Sequence, residues 1–172
     1  MSGRTGPIAR GTPPRVQLPL LVRLFDDSPD QARDPPASLG DAMAALRDAV
    51  RRDLEALLNA RRRWLSWPAH MGELATSPLG YGIPDFTSGA FNDPRRREEL
   101  RLEIEDTIRR FEPRFLSVRV ALAEHADPLS STLRLRIDGV LKAEPAPEAI
   151  AFDTIINPGS DDVLIRPARA DG

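Results

Sequence analysis

The seven residues from Arg109 to Phe115, Arg-Arg-Phe-Glu-Pro-Arg-Phe, constrain the fold most, because a helical pattern ends there and a strand pattern begins. Before them, apolar residues recur at the spacing of one helix face, and after them they alternate with a period of two. Pro113 makes continuation of the helix costly, since its ring restricts the preceding residue and it has no main-chain N–H. The chain must therefore turn from helix to strand at this point.

Glu112 lies where the negative end of the helix dipole is expected, an unfavourable place for a carboxylate unless a cation or a hydrogen-bond donor compensates for it. The stability of the helix alone therefore does not explain the Glu112-Pro113-Arg114 triplet. A surface that receives a charged group of another protein would explain it. We predict that Glu112 and Arg114 are interface charges and that Pro113 fixes the turn that presents them.

The chain has 172 residues, no cysteine and a net charge of −2. This length fits one domain. The absence of cysteine excludes a disulfide framework and a thiolate metal site, and it favours a reducing compartment. No apolar run approaches the roughly 20 residues that span a bilayer. We expect a cytoplasmic protein with no membrane insertion, no metal and no cofactor.

Residues 1–37 are rich in proline, glycine and aspartate, a composition that cannot build its own core, and they predict an extended N-terminal arm. One apolar stretch within the arm is too concentrated for a plain linker. We predict that its residues Leu20, Leu21 and Leu24 dock, either onto the same domain or onto a partner. Residues 38–166 form the predicted domain, and residues 167–172 form a predicted disordered tail.

The first predicted helix begins after Ser38, with Asp41 in the position of a capping-box acid. Apolar residues then recur on one face for about five turns, and Asn59 is a reasonable last residue. The second predicted helix has Asn92 or Asp93 as its cap and Pro94 in its first turn. Its apolar face continues to the Glu-Pro-Arg triplet.

Between the two helices, residues 61–92 lose periodicity and accumulate turn signals. A loop of this length in a compact domain is uncommon and is often functional. Its apolar residues should anchor it to the core, and Gly80 and Gly82 should permit main-chain angles that other residues avoid.

Two runs predict an antiparallel pair of strands. Leu116, Val118, Val120 and Leu122 alternate with more polar residues, and a second alternating run covers residues 133–138. Shorter runs at residues 149–156 and 163–165 add further strands. The predicted fold is α+β, with two amphipathic helices packed on one face of a small, mainly antiparallel sheet.

Four features, in order along roughly residues 18–143, resemble a family of phage-tail baseplate wedge proteins known as gene 25-like lysozymes. The resemblance is strongest to TssE, their counterpart in bacterial type VI secretion systems. The features are Leu20-Leu21-Val22-Arg23-Leu24 with Asp26-Asp27, residues 51–59 (Arg-Arg-Asp-Leu-Glu-Ala-Leu-Leu-Asn), residues 77–86 (Ser-Pro-Leu-Gly-Tyr-Gly-Ile-Pro-Asp-Phe) and Glu112-Pro113-Arg114.

The resemblance implies a structural component of a membrane-docked baseplate in the bacterial cytoplasm. It implies binding to the wedge subunits TssF and TssG through the Glu-Pro-Arg region, and through them to TssK and the spike hub. It also implies that the sheet templates the first ring of a contractile sheath built from TssB and TssC. Arg52, Asp53 and Asn59 are further partner-binding candidates by motif match. A wedge protein of a phage tail or of an extracellular contractile particle is the alternative assignment.

A small sheet with an unpaired edge is a site for strand addition, in which main-chain hydrogen bonds recruit an extended segment of a neighbour. Arg119, Arg134 and Arg136 on the polar side would disfavour aggregation and still admit a charge-matched partner. We predict that sheath strands add to one edge, without choosing between the edges.

A muramidase activity is the enzymatic alternative. Glycoside hydrolysis needs two carboxylates facing a cleft, about 5 Å apart for retention and further apart for inversion. Glu112 between two phenylalanines could be the acid, but Arg114 two residues away would keep it ionised, and no second acid is singled out. His70 and His125 are isolated, and the arginine runs are balanced by neighbouring acids. We therefore predict neither an enzyme nor a nucleic-acid-binding protein.

Overall fold

The computed structural model describes residues 38–62, 68–85, 93–123, 132–144, 146–157 and 162–168. The predicted arm, and with it Leu20, Leu21 and Leu24, lies outside the described residues.

Two α-helices precede a four-stranded sheet in the described part of the chain. The strands follow the order β1-β2-β3-β4, and each neighbouring pair is antiparallel. This confirms the predicted α+β fold. The elements are α1 (Leu39–Asn59), two short 3₁₀ helices (Ala69–Thr76 and Pro78–Gly80), α2 (Pro94–Phe111), β1 (Phe115–Leu122), β2 (Leu133–Leu141), β3 (Glu148–Ile156) and β4 (Val163–Pro167).

Both helices begin at the predicted caps. The Ser38 hydroxyl accepts a hydrogen bond from the Asp41 N–H at 3.1 Å, and the Asp41 carboxylate accepts one from the Ser38 N–H at 3.3 Å. Asp93 accepts a hydrogen bond from the Arg95 N–H at 2.9 Å, with Pro94 in the first turn of α2. These contacts satisfy N–H groups that the first turn of a helix leaves without partners.

The core lies between the two helices and one face of the sheet. α1 packs along β4 and α2 along β1, so each helix lies beside an edge strand. The apolar faces predicted for both helices are buried there. The core includes Leu46, Val50, Leu54 and Leu58 from α1, Leu100, Ile104 and Ile108 from α2, and Val120, Leu135, Ile137, Phe152, Ile156 and Ile165 from the sheet.

The first strand departs from the predicted alternation at its start. A β-bulge between Phe115 and Ser117 shifts the register, so that Phe115 is buried and Leu116 is 55% exposed. The prediction that Leu116 shares a face with Val118 was therefore wrong. Gly139 on β2 makes this arrangement possible, because a Cβ there would overlap the Phe115 ring.

The described part of the segment between the helices contains more regular structure than the turn signals indicated. Besides its two 3₁₀ helices, it forms a parallel bridge in which the Ile83 N–H donates to the Ala60 carbonyl at 3.0 Å and the Arg62 N–H donates to the Ile83 carbonyl at 2.9 Å. Ile83 is buried and anchors the loop to the core. Gly82 has a φ of 99°, and a Cβ there would overlap the Ala60 carbonyl, so the loop requires glycine at this position.

Candidate partner-binding site

The Glu112-Pro113-Arg114 triplet forms a corner in which the two charged residues bind each other. Glu112 is the C-cap of α2 and is only 5% exposed. The Arg114 Nε donates to Glu112 Oε1 at 2.6 Å, the Arg114 Nη2 donates to Oε2, and the Arg114 main-chain N–H donates to Oε1 at 3.2 Å. A fork of two side-chain bonds of this kind holds both groups in a fixed orientation.

This pairing changes the interpretation of Glu112. The unfavourable position of a carboxylate at the negative end of a helix is compensated within the chain, by Arg114, and requires no partner. A carboxylate buried to this extent does not present its charge to another protein. Glu112 therefore stabilises the corner from its buried side and fixes the position of Arg114.

Arg114 also connects the corner to the first helix. Its Nη2 lies 2.5 Å from Asp53 Oδ2 on α1, and the Asp53 side chain is 57% exposed while that of Arg114 is 22% exposed. Burial opposes the charge on the guanidinium, but the hydrogen bonds and charges of Glu112 and Asp53 outweigh it and raise the pKa of Arg114 above its ordinary value. Asp53, predicted by motif match, thus lies beside the Glu-Pro-Arg triplet, at the protein surface.

Pro113 is exposed at the tip of the corner, and its carbonyl accepts a hydrogen bond from the Lys142 Nζ at 2.7 Å. The Lys142 main-chain N–H donates to the Arg114 carbonyl at 2.8 Å. Residue 142 directly follows β2, so the end of that strand fixes the turn from the opposite side. Lys142 is the only lysine of the chain, and no sequence pattern linked it to the corner.

Tyr81 is a second residue of the corner that the sequence did not indicate. Its ring packs edge-to-face on Phe111, with centroids 5.4 Å apart and an interplanar angle of 75°. Burial raises the pKa of Tyr81, and the nearby charges of Asp53 and Glu112 raise it further. The available signal was its place within residues 77–86, one of the four segments that carry the family resemblance.

Two other candidates chosen by motif match make their contacts outside the corner. Arg52 is exposed on α1 and forms an ion pair with Asp48 at 3.5 Å. Asn59 faces the sheet, where its side chain binds both main-chain groups of Val163 on β4. The hydrogen bonds between Asn59 and Val163 are internal to the domain.

β1 and β4 each have one neighbouring strand in the described sheet, and helix side chains bind part of each outer edge. Arg101 and Glu105 of α2 bind the main chain of Val120 on β1. Asn59 does the same for Val163 on β4. Strand addition at either edge must therefore displace or avoid these contacts.

Within the described ranges, we find no helix with the length and apolarity needed to cross a membrane. Among the same residues, no group of three or more histidine, aspartate or glutamate side chains is arranged to hold a metal ion.

The described residues form a small antiparallel sheet with two helices on one face and a charged corner at the surface. A comparison with protein families identifies the family of this chain. The family described as baseplate wedge protein gp25 matches residues 44–146, more than half of the 172-residue chain. The chain belongs to this family of structural baseplate components. The matched range contains Asp53, Tyr81 and the Glu-Pro-Arg triplet. Searches among curated proteins and among solved structures find no match.

Proposed function

We propose that this chain is the TssE-type baseplate subunit of a bacterial type VI secretion system, working in the cytoplasm at the membrane-docked baseplate. The observation that carries this proposal is the corner, in which an exposed proline and a partly exposed arginine are held rigidly at the surface of a gp25-family domain. The sequence resembles the phage-tail wedge family, and within it TssE most closely, which is the reason for proposing a type VI secretion system.

The corner offers the features of a protein-binding site. Pro113, Tyr81 and Asp53 are exposed around the guanidinium of Arg114. Tyrosine and arginine are enriched among the residues that contribute most to interfaces. Glu112, Asp53 and Lys142 already hold the corner in one conformation. Binding of a partner would therefore cost little conformational entropy at this surface. We assign this surface to the wedge subunits TssF and TssG, which would link the chain to TssK and the spike hub.

A muramidase activity is the less favoured alternative. Both oxygens of Glu112 accept hydrogen bonds from Arg114, and the Asp53 carboxylate shares the same guanidinium. A glycosidase instead needs one carboxyl group that protonates the leaving oxygen and a second that acts on the opposite face of the sugar. A zymogram against purified peptidoglycan tests this directly, and cleavage that is lost in Glu112→Gln would favour the enzyme.

Co-purification with TssF and TssG tests the structural function. Pro113→Ala and Asp53→Asn alter the exposed part of the corner and leave the Glu112–Arg114 pair in place. Pro94→Ala, at the other end of α2, and Asp48→Asn, on the exposed side of α1, are the matched controls.

We expect the two corner variants to weaken capture of TssF and TssG by about tenfold, the effect of losing roughly 1.4 kcal/mol at an interface. Their unfolding midpoints should fall by no more than a few degrees. The control variants should bind like the wild type. Full binding by both corner variants would contradict the assignment of this surface. Capture of phage-type or extracellular-particle wedge proteins instead of TssF and TssG would favour the alternative assignment, a wedge protein of a phage tail or of an extracellular contractile particle.

A further inference from the structure

The face of the sheet that points away from the two helices contains an open groove. Its volume is about 620 Å³, within the range of about 300–1,000 Å³ that is typical of binding sites. Three consecutive residues from each of three strands line it, namely residues 117–119 of β1, 138–140 of β2 and 149–151 of β3. We call this block the open-face groove.

The position of Phe115 shows on which side of the sheet the open-face groove lies. Gly139 is the central residue of the block, and a Cβ at Gly139 would come within 2.4 Å of an atom of the buried Phe115 ring. Val118 and Ile150, which share a row with Gly139, are also buried in the core. The core side of the block is therefore filled, and the groove opens on the other side. The side chains on that side are Ser117, Arg119, Asp138, Val140, Ala149 and Ala151.

Short side chains form most of the floor of this groove. Val140 lies directly between Ser117 on β1 and Ala149 on β3 in the register of the sheet, and Ala151 follows on the same face. Because none of these side chains extends far from the strands, a bulky apolar group can pack down against the sheet. There it would lose contact with water, which is favourable.

The same face of the sheet has a positive charge. It carries four arginines and two aspartates, a net charge of +2. The arginines are Arg119, Arg134, Arg136 and Arg166, and the aspartates are Asp138 and Asp153. A segment that combines bulky apolar side chains with a net negative charge would complement this face.

Residues 18–34 of the N-terminal arm have this chemistry. Leu20, Leu21 and Leu24 belong to an apolar stretch that is followed closely by Asp26 and Asp27. The whole range contains four aspartates and two arginines, a net charge of −2 that is opposite to the charge of the sheet face.

The arm joins the domain within reach of the groove. It ends where α1 begins, at Ser38, and Arg47 in the first half of α1 forms an ion pair with Glu148, the residue before Ala149. The nine residues from Ser38 to Arg47 correspond to about 13 Å of helix. The 13 residues from Phe25 to Ser38 span up to about 43 Å when extended, which is enough to bring the apolar stretch to the groove.

We propose that the open-face groove is the docking site for the arm of the same chain, with Leu20, Leu21 and Leu24 packed on its floor and the following aspartates beside the arginines of this face. A tether of 13 residues gives the apolar stretch an effective concentration on the order of millimolar at the groove. A contact too weak to capture this segment from a separate molecule is therefore filled within one chain. This contact goes beyond the proposed function and does not depend on the identity of the wedge partners.

Disulfide trapping tests this contact in the full chain, which has no cysteine of its own. Leu21→Cys with Ser117→Cys places one thiol in the apolar stretch and one in the groove. Leu21→Cys with Leu102→Cys, at an exposed position on α2, is the control. Under mild oxidation, we expect the groove pair to form its intramolecular disulfide at least about tenfold faster than the control pair, because docking raises the local thiol concentration above that of a free tether.

Two outcomes of this experiment would overturn the proposal. Equal rates for the groove pair and the control pair would show that the arm does not dock in the groove. A groove disulfide that forms mainly between two chains, and slows on dilution, would show that the occupant is a second copy and not the arm of the same chain.

A phenylalanine placed in the groove tests the fit independently of the control site. Ala151→Phe, added to the groove pair, fills the space and should slow disulfide formation by about tenfold. Ala121→Phe adds the same ring to the same face of the sheet, outside the groove, and should leave the rate unchanged. Thermal unfolding confirms that both variants are folded. Equal rates in the two variants would overturn the assignment of the arm to this groove.

A charge reversal tests the electrostatic part of the contact. Arg119→Glu, added to the groove pair, should slow disulfide formation by about threefold, the effect of one exposed ion pair, and the difference should shrink at high salt. Arg95→Glu makes the same change at an exposed position at the start of α2 and should leave the rate unchanged. Equal rates in these two variants would overturn the pairing of the aspartates with this face.

Discussion

The carboxamide of Asn59 and the main chain of Val163 form a two-bond pair. The Val163 N–H donates to Asn59 Oδ1 at 2.9 Å, and Asn59 Nδ2 donates to the Val163 carbonyl at 2.9 Å. The same Nδ2 donates to the Glu55 carbonyl at 2.8 Å, in the last turn of α1. One side chain therefore connects the last turn of α1 to the edge strand β4.

Replacing Asn59 with alanine should lower the free energy of unfolding by about 2 kcal/mol, since it leaves the N–H and the carbonyl of Val163 without their side-chain partner. Urea unfolding of the purified chain measures this. Arg52→Ala is the matched control on the same helix, and should change stability by less than about 0.5 kcal/mol because Arg52 makes only an exposed ion pair. Equal effects of the two substitutions would show that the Asn59 bonds contribute little.

Arg114→Ala should be among the most destabilising single changes at the corner. It leaves the buried carboxylate of Glu112 with the main-chain N–H of residue 114 and no cation, and removing one partner of a buried ion pair costs about 3 kcal/mol or more. Asp53→Asn removes an exposed partner of the same guanidinium and should cost less than about 1 kcal/mol. Chemical denaturation distinguishes them, and a fully stable Arg114→Ala protein would contradict the structural role of the pair.

Because the Glu112–Arg114 pair is expected to stabilise the fold, binding experiments on Arg114 variants measure two effects at once. Loss of partner capture in Arg114→Ala reflects both a missing contact and a weakened fold. Substitutions at Pro113 and Asp53 are therefore the informative ones, because both residues are exposed.

The two helices and four strands could be predicted because their signals are local. Ser38 and Asp93 are caps recognisable from a few neighbouring residues, and the apolar periods of α1 and β2 repeat along one element. The exception, Leu116, depends on a fit between Phe115 and Gly139 across two strands, which no local pattern encodes.

The site was predictable only in part for the same reason. The Glu-Pro-Arg triplet is visible in the sequence, but its ion pair to Asp53 joins residues 61 positions apart. Tyr81 and Lys142 reach the corner from two further segments. Periodicity indicates which residues face the core, whereas these contacts depend on how separate elements are placed relative to one another.

Tyr81 gives a pH-dependent signal from the corner. Burial, then the charges of Asp53 and Glu112, raise its pKa, so the folded state favours the neutral phenol more than the unfolded state does. The resulting stability is present below the ordinary tyrosine pKa of about 10 and is lost as the pH rises through the pKa of the folded state. Asp53→Asn removes one of the repelling charges and should lower the pKa of Tyr81, with burial keeping part of the upward shift.

Tyr81 is the only tyrosine of the chain, so the absorbance of tyrosinate during a titration with base reports on this residue alone. Asp48→Asn, a loss of the same charge elsewhere on α1, is the control and should leave the titration unchanged. A wild-type midpoint at the value of a free tyrosine would contradict the placement of Tyr81 beside the two carboxylates.

Thr154 offers a way to stabilise the domain without touching the corner or either edge. It lies on β3 opposite Leu135 and Ile165, is 1% exposed, and its hydroxyl has no hydrogen-bond partner in the described structure. Thr154→Val replaces the hydroxyl with a methyl group of similar shape and should raise the free energy of unfolding by about 1 kcal/mol, the cost of burying an unpaired polar group. Thr154→Ser keeps the hydroxyl and deletes a buried methyl, and should lower stability by about 1 kcal/mol. Parallel urea unfolding curves give both values, and a less stable valine variant would mean that the hydroxyl is hydrogen-bonded in solution.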